Sequence, residues 1–259
     1  MRRATARATA AVLILGALAI CPTAAFAFEA GVRAEYWFPS LSGNAQTTTS
    51  GLPDTPFDLK DTLGIQDENL PFGEAFLGAS RFTLRFGYTP LKYDGSSTLS
   101  RDFIFNGQTF TATDTISSRL EMNLFEGQLQ FDILRPSVGV ASVNLGLILQ
   151  GIYVDGSIQV RSGTTGISTK EDFQLGAPLI GVAAGAGFLK DMIRVDARAT
   201  GMAYSGDHLY EVDAYASFAP FPFLRLQGGY KYIDLKVDES DVTASLTLSG
   251  PYAGLQLSF

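Results

Sequence analysis

Three features of this sequence together predict an all-β fold of about ten antiparallel strands, eight to twelve, closed into an up-and-down transmembrane β-barrel. Apolar and polar residues alternate with the two-residue period of a strand through most of the chain after residue 28. No later segment is apolar and long enough for a spanning helix, which needs ~20 residues. The N-terminus has the three-part plan of an export signal.

That signal comes first. Arg2, Arg3 and Arg7 precede the apolar run AVLILGALAI at 11–20, and small residues flank Phe26 in Ala25-Phe26-Ala27. Cleavage is expected before Phe28, so that 1–27 is a leader and 28–259 a single barrel domain. Cys21, the only cysteine, lies inside the leader in LAIC, where Ile20 is wrong for a lipoprotein signal. A chain without that cysteine has no disulfide framework. Hydrophobic residues make up 46% and charged residues 17%, against the ~25% charged residues usual for soluble domains. The net charge of −7 argues against nucleic acid as a partner, because phosphate binding needs a basic patch.

Strands are read at 28–38, 72–80, 81–105, 109–134, 139–162, 169–188, 192–204, 208–219, 223–236 and 243–259. In RFTLRFGY, Phe82, Leu84, Phe86 and Tyr88 share one face. FEGQLQFDI sets Phe125, Leu129, Phe131 and Ile133 against Glu126, Gln128, Gln130 and Asp132; IRVDARATG and YEVDAYASF repeat the scheme. A soluble sandwich alternates as well, so alternation alone leaves both folds open; the export signal and the chain ending favour the barrel. Turns are read at Asn106-Gly107, the strongest short hairpin signal, and at 135–137, 163–166, 190–191, 205–207, 220–222 and 238–240. Both termini of an even-stranded barrel then lie on the periplasmic side, with the 39–71 loop and the Asn106-Gly107 tip outside. The hairpin 81–105/109–134 exceeds the membrane height, and its polar outer half reads as an extension above the surface. A break near Asp94-Gly95 is the alternative.

Polar positions on the alternating strands point into the lumen. They carry Glu74, Arg85, Glu126, Asp132, Arg194, Asp196, Arg198, Glu211, Asp213, Arg225 and Lys231, of both signs. So narrow a barrel encloses little more than its own side chains, and opposed charges there are expected to pair as structural satisfaction. A filled lumen is favoured; a conducting path is the alternative.

Enzymatic readings find little support. The single histidine, His208, adjoins Asp207 in SGDHLYE. Omptin proteases use an Asp/His pair plus two further acids, but adjacent residues on a strand point to opposite faces. Lipid A deacylases use an HxS context, which is lacking here. Asp238, Glu239 and Asp241 form an acidic loop that suits a solvated turn better than calcium. GVAAGAGF at 181–188 opens no helix, so it is a weak phosphate-loop signal. No catalytic, cofactor or metal site is therefore read, and no cofactor is expected.

The ending GPYAGLQLSF closes on Phe259. Tyr252, Gly254, Leu257 and Phe259 resemble the last-strand signal of bacterial outer-membrane barrels, and residues 230–259 resemble their usual ending of Tyr-rich strand, acidic loop and closing strand. The chain from Phe28 onward is similar to the generic Gram-negative outer-membrane β-barrel proteins, many without an assigned role. The resemblance implies outer-membrane lipid and lipopolysaccharide as surroundings and the barrel assembly machinery as a partner reading the last strand. An interaction barrel with an unidentified extracellular partner is the favoured function. A small-solute channel is the alternative, and an outer-membrane hydrolase a distant third.

Overall fold

The computed structural model describes residues 28–49, 52–239 and 242–259; the expected leader at 1–27 lies outside the described residues. In chain order the strands are β1 (Phe28–Trp37), β2 (Ser40–Thr49), β3 (Leu52–Pro53), β4 (Phe57–Asp58), β5 (Leu70–Ala79), β6 (Phe82–Thr98), β7 (Phe103–Phe105), β8 (Gln108–Phe110), β9 (Thr115–Leu134), β10 (Ser137–Val138), β11 (Ala141–Ser162), β12 (Ser168–Phe188), β13 (Ile193–Tyr204), β14 (Asp207–Phe221), β15 (Leu224–Glu239) and β16 (Val242–Ser258). Ten of them form a ring in the order β1-β5-β6-β9-β11-β12-β13-β14-β15-β16, and β16 pairs back with β1 from Gly31↔Ser258 to Trp37↔Tyr252. Every pairing in the ring is antiparallel. The fold is a closed up-and-down barrel.

A band of apolar residues faces outward around this ring. On β11, Val143, Leu145, Leu147, Leu149 and Tyr153 are exposed at alternate positions, and on β9 so are Phe125, Leu129, Phe131 and Ile133. From Val143 to Tyr153 the strand rises about 33 Å, or about 25 Å along the axis at ~40° of tilt, the height of a bilayer-facing band. Aromatic rings mark one edge of this band: Tyr88 meets Phe125 at 5.0 Å and Phe125 meets Tyr153 at 6.4 Å between centroids. Phe82 with Phe131, and Phe221 with Phe223, mark the edge near the termini. Such paired aromatic girdles are the signature of a wall solvated by lipid. The barrel is membrane-spanning.

Past the girdle formed by Tyr88, Phe125 and Tyr153, the alternation keeps its period but exchanges its faces. On β9 the inward residues become Ile116, Leu120 and Met122, while Ser117, Arg119 and Glu121 turn outward. On β15 they become Ile233 and Leu235, opposite Asp234 and Lys236. Outside this part lies water, so the apolar side must turn inward.

The far half of the barrel therefore has a dry core. The long hairpin is present as β6/β9, paired without a break from Phe82↔Phe131 to Thr98↔Thr115, and β11/β12 rises beside it to Arg161↔Ser168. Its tip does not continue straight out: residues 99–114 leave the wall, and β7/β8 turn through Asn106-Gly107, both at positive φ (46° and 68°) as the hairpin signal requires. The fold-back buries Phe103 and Phe105 against Phe57, and Phe110 against Phe103, within a core cluster that also holds Tyr93. The 39–71 segment, read from the sequence as a loop, contains β2, which continues the seam along β16 from Ser40↔Ser249. Its SLSGNAQTTT showed no lipid-facing apolar row because this stretch stands in water. Residues 57–66 complete the wall between β2 and β6 through Leu59 N to Gly43 O at 3.0 Å and an Ile65↔Gly95 bridge.

Asp67 ties this cap to the seam. Its carboxylate accepts from the Leu41 amide at 2.7 Å and from Lys60 Nζ at 2.9 Å. Desolvation opposes its ionisation, yet hydrogen bonds from Lys60 and Leu41 outweigh it and hold the carboxyl below its usual range. A depressed folded value means that the contribution is present above the unfolded pKa of about 3.9 and fades as pH falls through and below it. Hydrogen exchange at the Leu41 amide is therefore expected to lose protection in acid, and Asp67→Asn to lose it already at pH 7; equal protection in the two proteins at pH 7 contradicts this anchoring. For the core of the cap, Phe105→Ala should cost about 3–5 kcal/mol in detergent-micelle unfolding. Ile104→Ala, at a position 38% exposed against 0% for Phe105, should cost under about 1 kcal/mol.

Candidate functional site

The lumen at membrane depth is built from the inward positions of the ring strands. Cross-strand register places Arg33 opposite Glu74, Arg198 opposite Asp213, and Asp213 opposite Lys231. Glu74 is the hub. Its carboxylate lies 3.7 Å from Arg33 Nε, 3.8 Å from Arg85 Nε and 3.6 Å from Arg198 Nη1. Arg198 also clamps Asp213, which accepts the Tyr252 hydroxyl hydrogen bond at 2.8 Å. Arg33 reaches Glu35 at 3.4 Å and covers the Tyr215 ring at 5.0 Å.

A second group lies closer to the cap. Lys231 Nζ is 3.6 Å from Glu211 and 4.4 Å from the centre of the Phe72 ring, and Glu211 accepts from Gln150 Nε2 at 2.8 Å. Buried charges persist only when paired in this way. Between these groups the remaining void is about 20 Å³, room for about one water molecule.

Toward the end that carries the termini the lumen widens into a vestibule of about 460 Å³. Arg194 bridges Asp196 at 2.8 Å and Asp191 at 3.0 Å there, and donates to Asn144 at 2.8 Å. Asp191 follows Leu189 and Lys190 in a run of three residues at positive φ. It also accepts from Ser142 Oγ, so the turn is pinned to β11 and β13. Arg225 donates to the Asp191 carbonyl and to Ser217 Oγ, each at 3.1 Å. The interior thus has three tiers: apolar cap, charged plug and polar vestibule.

All eleven residues assigned to the lumen, Glu74, Arg85, Glu126, Asp132, Arg194, Asp196, Arg198, Glu211, Asp213, Arg225 and Lys231, lie on inward positions. They divide between tiers. Glu74, Arg85, Arg198, Glu211, Asp213 and Lys231 join the plug, while Arg194, Asp196, Arg225 and Asp132 line the vestibule, which Arg85 and Arg198 border from the plug side. Glu126 faces the plug with Oε1 unpartnered. Arg33 and Glu35 were missed, although their alternation with Val32, Ala34 and Tyr36 in β1 carries the same signal. In the closing strand, Tyr252 and Gly254 face inward and Leu257 and Phe259 outward. A Cβ at Gly254 would come within 2.8 Å of Glu35 Cγ. The GVAAGAGF stretch belongs to β12, where a Cβ at Gly185 would crowd Arg194 at 2.8 Å.

His208 pairs with Asp234 at 2.8 Å, and the adjacent Asp207 instead accepts from the Asp238 amide. The pair stands on the outer face of the wall, with His208 stacked on Tyr210 at 5.1 Å. Tyr232 and Thr247 donate to the same Asp234. Among the described residues no group of three or more His, Cys, Asp or Glu side chains is arranged to hold a metal ion. Part of the Asp238, Glu239, Asp241 loop lies outside the described residues.

The fold and lumen define a membrane-spanning, ten-stranded β-barrel with a filled interior. No protein-family model and no curated protein matches the chain. Among solved structures it is similar to the outer membrane protease OmpT of Escherichia coli, at 11% identity over 92% of this chain and 99% of that one, TM-score 0.46. It is also similar to Neisserial surface protein A, at 14% identity over 90% and 97%, TM-score 0.37. The toluene transporter TodX of Pseudomonas putida aligns at 7% identity over 88% and 89%, TM-score 0.32. The barrel class rests on the closed ladder and the lipid-facing band.

Removing the hub tests the plug. Glu74→Gln leaves three guanidinium groups without their shared carboxylate and should lower stability by about 3–5 kcal/mol in thermal unfolding of the detergent-solubilised barrel. Asp94→Asn breaks an ion pair with Arg119 that is more than half exposed and should change little. Equal losses would count against a paired interior.

Proposed function

We propose that this chain is a non-enzymatic outer-membrane protein, with its termini in the periplasm, that displays a rigid capped surface and passes no solute. The observation that carries this reading is the filled lumen. Leu41, Leu63, Tyr93, Phe103, Phe105 and Ile116 block the far half, and the Glu74 ion network blocks the middle. A channel needs a continuous wet path, and two different chemistries interrupt it here. The apolar band supports lipid and lipopolysaccharide as its surroundings, and the outward Leu257 and Phe259 support a last strand read by the assembly machinery. The cap and the tops of β6, β9, β11 and β12 would meet an extracellular partner.

The His208–Asp234 pair favours no hydrolase, because no hydroxyl nucleophile is hydrogen-bonded to the ring among the described residues. The small-solute channel keeps one supporting feature, the vestibule, which gives access to half of the path.

Conductance separates the readings. Purified protein in planar bilayers is expected to show no stable single-channel steps, whereas regular ohmic steps would establish the channel. Orientation is tested by Ile104→Cys, in a chain whose only native cysteine is Cys21. An impermeant maleimide should label the introduced thiol on intact cells, and labelling only after lysis would invert the topology.

A further inference from the structure

The vestibule has no part in the reading above, and its hydrogen-bonding capacity is unbalanced. A guanidinium carries five N–H donors and accepts nothing. Among the described residues Arg225 has no carboxylate within ion-pair distance: its Nη1 meets only the Asp191 carbonyl and Ser217 Oγ. Arg85, across the ring, spends Nη1 on the side-chain oxygens of Gln128 and Gln130 at 3.3 and 3.0 Å. Its one carboxylate, Glu74 at 3.8 Å, is shared with Arg33 and Arg198. The Tyr215 hydroxyl accepts from Arg33 Nη2 at 3.2 Å, which leaves its own proton to donate.

The acids around the same space are engaged. Arg194 holds Asp191 and Asp196. Asp132 accepts from Gln130 Nε2 at 2.7 Å and lies 3.9 Å from Arg135; exposed Glu29 stands at the mouth. What remains is a cavity with surplus donors and two under-paired cations. Its volume of about 460 Å³ falls in the ~300–1,000 Å³ range of small-molecule sites. Charge-assisted hydrogen bonds from guanidinium to an oxyanion satisfy both deficits at once.

We propose that the vestibule is a binding site for a phosphate group, free or carried on a small molecule or lipid head, held between Arg225 and Arg85 with the Tyr215 hydroxyl as third donor. The site stands whether or not the barrel conducts.

Calorimetric titration of the purified barrel in uncharged detergent tests it, with inorganic phosphate, glycerol phosphate and phosphatidylglycerol-doped micelles as separate probes. Saturable one-to-one binding that weakens as sodium chloride rises is expected. Arg225→Gln should weaken it at least about tenfold, Arg225→Lys less, and Arg81→Gln, at an exposed turn position, not at all. Binding of either soluble probe assigns the phosphate to a soluble ligand, and binding of the doped micelles alone assigns it to a lipid head; both support the site. Should Arg225→Gln fail to fold, as judged by loss of heat-modifiable migration, Arg85→Gln and Tyr215→Phe carry the same expectation. No saturation by any probe, or unchanged affinity in a folded Arg225 or Arg85 variant, overturns the proposal.

Discussion

Hydrogen bonds between β1 and β16 close the ring, and every other feature presupposes that closure. An open sheet edge in hydrocarbon would leave a row of unpaired N–H and C=O groups at several kcal/mol each. Seven register pairs from Gly31↔Ser258 to Trp37↔Tyr252 remove that edge. The chain then interrupts β1 at Phe38-Pro39 and resumes pairing with the same partner as β2, so that β16 is covered along its whole length by two successive segments. The residues that build the cap begin within β2, at Leu41. Closure thus fixes where the cap can start.

Two solvents act on one wall. Strand geometry holds the period at two from end to end, and the medium decides which set of alternate residues is apolar. Within the band Phe125, Leu129 and Phe131 meet lipid while Glu126, Gln128 and Gln130 fill the lumen; beyond it Ile116, Leu120 and Met122 turn inward. The exchange explains why charge and hydrocarbon occupy separate depths of the same narrow interior. Ion pairs gather where the outer face has used up the apolar positions, and a dry core forms where water solvates the outside.

The sequence was a good guide wherever local periodicity decides the answer. The ring of ten followed from alternation and turn residues, as at Asn106-Gly107, and parity showed which residues share a face. By contrast, β2 was hidden in the 39–71 loop, and the strands read at 81–105 and 109–134 stop at Thr98 and start at Thr115. Partnerships did not follow. That Glu74 serves three arginines from β1, β6 and β13, or that His208 meets Asp234 and not Asp207, depends on the stagger between strands, which no single strand encodes. The inward fold of Phe103, Phe105 and Phe110 was equally hidden. The flanking DGSSTLSRD and TATDTISS are polar enough to read as a free extension, and it is the buried cluster around Phe57 that gives those rings a place to go.

Trp37 is the chain's single tryptophan, and it sits at the end of the seam. Its indole is buried, donates from Nε1 to the Gly250 carbonyl at 3.1 Å, and has Lys231 Nζ 5.8 Å from its ring centre. The chromophore therefore lies at the junction of the ring closure, the charged plug and the base of the cap. Its emission reads out the meeting of first and last strands without any label, and an insertion experiment in vesicles can time the final step of assembly by that one optical signal.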